Sequence, residues 1–116
     1  MDDEKIKSIF LEFSDGIVIP SYALEAGKEY VKTLRIVESD DRFNYLAAAF
    51  AYRAYILVQT TRENIAVNFD GKAVKNSEDD KIISRADRLF ENIRGICIAE
   101  NLIIDDSFGF RITGEN

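Results

Sequence analysis

Apolar residues recur at helical spacing over most of the chain. Between residues 4 and 13, Ile6, Ile9, Phe10 and Phe13 stand at i, i+3, i+4 and i+7, which predicts a short amphipathic helix whose start is favoured by the acidic residues before it. Asp15-Gly16 ends it, and Ile17-Val18-Ile19 leads into Pro20. Proline is tolerated only in the first turn of a helix, so a second helix is expected over 21–36, with Leu24, Gly27, Val31 and Leu34 on its buried face. The capping-rich linker Glu38-Ser39-Asp40-Asp41 introduces a third helix over 42–62. At 100° per residue, Phe43, Leu46, Ala47, Phe50, Ala54 and Leu57 form one stripe of it, and Tyr45, Ala48, Tyr52, Tyr55 and Gln59 form another on the opposite side. A helix that is apolar on both sides is either central to its fold or offers a second face to a partner.

Beyond this helix the period changes. Ile65, Val67 and Phe69 alternate with Ala66 and Asn68 and stop at Asp70-Gly71, a pair suited to a two-residue turn, which predicts a small β-hairpin around 65–75; a plain loop is the competing reading. Ser77-Glu78-Asp79-Asp80 resembles a capping box and opens a last helix over 78–101. Ile82, Ile83, Ala86, Phe90, Ile93 and Cys97 line its core face, with Lys81, Ser84, Arg88, Glu91 and Gly95 on its solvated back. After Leu102 the pattern breaks, and Phe108, Phe110 and Ile112 alternate with Gly109 and Arg111 as an extended C-terminal segment. The expected architecture is a mainly α single domain over residues 1–116, with two long helices, two shorter ones, the hairpin and the extended tail.

Composition narrows the function. An apolar share of 47% in 116 residues supports one hydrophobic core. The net charge of −6 repels phosphate backbones, and the Lys and Arg residues form no dense cluster, so nucleic acid is not an expected partner. No apolar run approaches the roughly 20 residues of a membrane span; the longest, Leu46 to Val58, is broken by Arg53. With the acidic start Met1-Asp2-Asp3-Glu4 and a single cysteine, the expected location is the cytoplasm, away from membranes.

The chemistry of catalysis is thinly represented. With no histidine, the commonest general base and transition-metal ligand is missing, and one cysteine cannot build a zinc site. Gly71, Gly95 and Gly109 are isolated, so no phosphate loop is present. The pairs Asp40-Asp41, Asp79-Asp80 and Asp105-Asp106 read more simply as capping or solvated residues than as ligands of a hard cation, because neighbouring side chains diverge. Cys97 lies on an apolar stripe and reads as core packing, and Arg53 reads as a side chain that buries its stem and reaches water or a carboxylate, with a buried ion pair as the sharper alternative. No enzyme activity, cofactor, metal or small-molecule ligand is expected. The functional lead is contact with another protein or self-association, through the tyrosine face of Tyr45, Tyr52 and Tyr55 and through the tail residues Phe108, Phe110 and Ile112. The alternative for the tyrosines is that the first helix or the C-terminal segment covers them.

The order of elements over residues 22–112, with Leu46-Ala47-Ala48-Ala49-Phe50-Ala51-Tyr52 in the long helix and Asn68-Phe69-Asp70-Gly71 after it, resembles the small head-tail connector or adaptor proteins of tailed bacteriophages and prophages. That resemblance implies a non-enzymatic subunit that joins a ring, located in the virion. The rival reading is a monomeric inhibitor or immunity-type protein that occupies a basic site on one partner. Because no plausible ligand set is present, neither chelators nor added Mg²⁺, Mn²⁺ or Ca²⁺ are expected to move the melting temperature in differential scanning fluorimetry; a clear upward shift would identify a site in the acidic pairs.

Overall fold

Four helices account for the residues that the computed structural model describes, 1–34, 40–69 and 77–103: α1 (Asp3–Ser14), α2 (Ser21–Leu34), α3 (Arg42–Phe69) and α4 (Ser77–Ala99). No strand occurs among the described residues, and no helix among them is long and apolar enough to cross a membrane.

Local chemistry sets the ends. The Asp2 carboxylate caps α1 by accepting the Glu4 amide proton at 3.0 Å. Asp15 in the left-handed region and Gly16 at φ 105° close it, with the Gly16 amide donating to the Leu11 carbonyl at 2.9 Å and the Asp15 amide to Glu12 at 3.3 Å. α4 ends in the same way: Asn101 is left-handed, and the Leu102 amide donates to the Cys97 carbonyl at 2.9 Å. That turn sends the buried Leu102 and Ile103 back onto the core. Pro20 stands immediately before α2, and its carbonyl accepts the amide protons of Ala23 and Leu24.

The long third helix is the axis of the fold. Its residues Phe43, Leu46, Ala47, Ala48, Ala49 and Ala51 are all buried, on every side of the helix, because α1, α2 and α4 each pack against it. Asp2 meets Asn44 and Phe10 meets Tyr52, so α1 runs parallel to α3; Glu100 meets Arg42 and Asp87 meets Arg53, so α4 runs antiparallel. Gly27 of α2 lies against the backbone of Ala47, and a Cβ at position 27 would collide with the Ala47 carbonyl oxygen. Tyr30 stacks on Phe50 with centroids 4.4 Å apart, and both touch Phe90 of α4, so one aromatic cluster joins α2, α3 and α4. Arg53 lays its guanidinium over the Phe90 ring, 4.9 Å from its centroid, and reaches Asp87 at 3.1 Å. It is half-buried and paired, which is the plainer of its two readings.

The sequence and the structure part after residue 62. α3 continues to Phe69, so Ile65, Val67 and Phe69, expected as the first arm of a hairpin, fall in helix; the remainder of that hairpin, residues 70–76, lies outside the described residues. A run of five alternating residues fits a helix end as well as a strand, and no glycine or proline interrupts α3 before Gly71. The extended segment with Phe108, Phe110 and Ile112 also lies outside the described residues.

The two helical glycines have opposite roles. Gly27→Ala is expected to destabilise the protein by about 1–3 kcal/mol despite alanine's better helix propensity, because the helices must separate to admit the methyl group. Gly95, where an added Cβ meets nothing within 4 Å, is expected to gain roughly 0.5–1 kcal/mol on substitution by alanine. Urea unfolding of both variants checks the pair of signs.

Candidate functional site

The second stripe of α3 carries the three tyrosines, and the bundle treats them unequally. Tyr52, 9% exposed, meets Phe10 edge-on at 6.0 Å between centroids, and Phe13 tilts against it at 6.4 Å. Tyr55 meets Phe10 at 5.9 Å and is partly buried. The first helix therefore covers these two rings, as the alternative reading had it. Tyr45 stays 46% exposed, because it points into the gap between α1 and α4, which have no close backbone approach to each other.

Tyr45 is a ridge between two concavities. On the α4 side, a groove of about 190 Å³ is lined by Tyr45, Ile93, Ile96 and Arg42, with the buried Cys97 at its floor. Ile96 is 54% exposed on its rim. On the α1 side, a more polar hollow of about 270 Å³ contains Lys5, Ser8, Glu12 and Asp41, with Lys5 and Asp41 3.2 Å apart. The sequence reading missed Ile96 and Ile93 as surface partners of Tyr45. A signal existed: Ile96 precedes Cys97 and therefore stands 100° off the core stripe, an apolar side chain where solvation calls for a polar one.

Among the described residues, the one formal charge lining the apolar groove is already matched. Arg42 places Nε and Nη2 2.9 Å from the two oxygens of Asp40, and its Nη1 lies 3.1 Å from Glu100. The Arg42 guanidinium, and then its amide proton, hold the Asp40 carboxyl down at about 2. Burial pushes the Cys97 thiol up, which keeps it protonated and a poor nucleophile at neutral pH. The groove is thus suited to receiving an apolar side chain rather than to acid–base or nucleophilic chemistry.

A third concavity, of about 350 Å³, follows the solvated back of α4 past Lys81, Ser84, Arg85 and Arg88. Among the described residues no three His, Cys, Asp or Glu side chains gather as a metal site. No protein family, curated protein or solved structure matches this chain.

The Asp40–Arg42–Glu100 link ties the start of α3 to the end of α4, and its pH dependence has a definite sign. Asp40 is depressed in the fold relative to an unfolded value near 3.9, so its contribution is present above about pH 4 and is lost as the pH falls towards about 2. Asp40→Asn is expected to lower the melting temperature at neutral pH, with the difference from the wild type shrinking between about pH 4 and pH 2. Thermal melts followed by circular dichroism across that range provide the check.

Proposed function

We propose that the protein is a non-enzymatic subunit that works by contact with another protein chain, and that the groove beside Tyr45 is where the contact is made. The observation that supports this is the pairing of an exposed tyrosine and an exposed isoleucine around an apolar groove whose only charged lining group among the described residues, Arg42, is already paired. Aromatic and arginine side chains around a small apolar pocket, with polar groups such as Lys5 and Glu12 at the edge, have the composition of an interface centre and its rim. The tail residues Phe108, Phe110 and Ile112 belong to the same proposal on their sequence pattern, as a strand that adds to a neighbour's sheet edge. A head-tail connector or adaptor subunit of a tailed phage or prophage is the form of this function that the resemblance favours, acting in the cytoplasm and then in the virion. An inhibitor of the immunity type would instead remain monomeric and form a one-to-one complex.

Ile96→Asp tests the face. The side chain is exposed, so the melting temperature should stay within a few degrees of the wild type, while a charge buried at a contact weakens it by about tenfold or more. Light scattering across a concentration series, and affinity capture compared between the wild type and the variant, should both show the loss. A variant that assembles and captures as the wild type does removes the face from consideration.

A further inference from the structure

The closing turn of α4 delivers the chain to the groove beside Tyr45. The Leu102 amide donates at 2.9 Å to the carbonyl of Cys97, the residue at the groove's floor, and Leu102 and Ile103 are both buried. Glu100, just before the reversal, bonds Arg42, another lining residue, at 3.1 Å. The reversal is therefore tied to groove residues on both flanks, and the described residues end beside them at Ile103. Residues 104–116 start from that point. Phe108, the first of the three alternating apolar residues, is five positions beyond Ile103, a reach of up to about 17 Å in extended chain. Ile93, the groove residue farthest from the end of α4, lies one helical turn from Cys97, or about 6 Å along the axis.

We infer that residues 104–116 cover the Tyr45–Ile96 groove of their own chain, with Phe108 seated against Tyr45, Ile93 and Ile96, and that a partner reaches the groove by displacing them. The inference rests on the reading of the groove as a contact face and adds how that face is regulated. Where the chain leaves α4 and how far it reaches decide the occupant. A segment joined to the groove by so short a connection meets it at an effective concentration on the order of millimolar, well above that of a separate copy in dilute solution. The alternation puts Phe108, Phe110 and Ile112 on one side of an extended segment, and Tyr45 and Ile96, 46% and 54% exposed, offer that side an apolar surface. No charge match is involved: Arg42 is shared between Asp40 and Glu100, and Asp105 and Asp106 fall in the connecting stretch rather than among the residues that enter. Displacement frees the groove and the Phe108–Ile112 strand together, so both surfaces of the proposed contact become available in one step.

Photo-cross-linking in the full chain tests this, with benzoylphenylalanine in place of Phe108 and, in a second chain, in place of Arg111 on the other side of the alternation. Light and isotopically heavy copies are mixed in equal amounts, so that mass spectrometry of the digest separates links within a chain from links between copies. The group at 108 should link to the peptides holding Tyr45, Ile93 and Ile96 of its own chain, and the group at 111 should do so at least about tenfold less. Adding Ile96→Asp to the first chain should cut the groove link roughly tenfold, because a charge now faces the ring. Equal yields from 108 and 111, or links from 108 spread over other peptides, overturn the inference, since a segment without a fixed seat would give them. Links found only between light and heavy copies also overturn it and assign the segment to a second copy. The contact reading is judged separately, by assembly and capture. A groove link within the chain, beside an Ile96→Asp variant that assembles and captures as the wild type does, keeps the cover and removes the contact face. No groove link, beside an Ile96→Asp variant that loses capture, keeps the contact face and removes the cover.

Discussion

The close approach of Gly27 to Ala47 is the constraint on which the rest of the bundle depends. Where a helix crosses another with no side chain between them, the axes come nearer than larger residues allow, and every neighbouring contact is set by that spacing. It puts Tyr30 within stacking distance of Phe50 and brings that pair to Phe90, so α2 and α4 meet through aromatic rings although their backbones stay apart. The same spacing explains the run of alanines. A helix enclosed on three sides has no room for large side chains in every direction, and Ala47, Ala48, Ala49 and Ala51 keep the first turns of α3 narrow.

Charges then fix what apolar packing leaves free. Burial alone would let α3 and α4 slide along one another, since alanines and isoleucines at helical spacing offer similar contacts one turn away. Arg42 against Asp40 and Glu100, and Arg53 against Asp87, hold the two helices at two heights. Exposed pairs contribute little stability individually, about 0–1 kcal/mol, so register is the more natural result of the arrangement than strength. Asn44 does the same for α1: buried in the third helix, it accepts the amide proton of Asp2 at 2.9 Å and so aligns the start of one helix with the start of the other.

Much of this was legible in the sequence because the governing signal is the helical period. Ile6, Phe10, Val31, Leu46, Phe90 and Cys97 fall where their spacing puts them, and Asp15-Gly16 and Pro20 bound their helices as their backbone chemistry requires. The continuation of α3 to Phe69 was not legible, since five alternating residues carry too little pattern to separate a strand from a helix end. The site was only half legible. Period places Tyr45, Tyr52 and Tyr55 on one face, and it contains nothing to say that α1 covers two of them and stops short of the third. Which tyrosine stays outside depends on where α1 crosses α3, a tertiary fact that follows from Asn44 and Asp2.

That division has a functional edge. Tyr52 and Tyr55 contribute to the fold by packing on Phe10, and an exchange there would act on stability before it acted on any partner. Tyr45 has no such duty to fulfil. It sits with Ile96 over a groove in which the cation among the described lining residues, Arg42, is committed to Asp40 and Glu100, so on its α4 side the tyrosine meets an apolar surface. In a chain with a net charge of −6, a polar residue at position 96 would be the ordinary surface choice. Scattered apolar residues on a surface need no explanation, and it is the gathering of Tyr45, Ile93 and Ile96 around one concave apolar surface that sets this face apart from them.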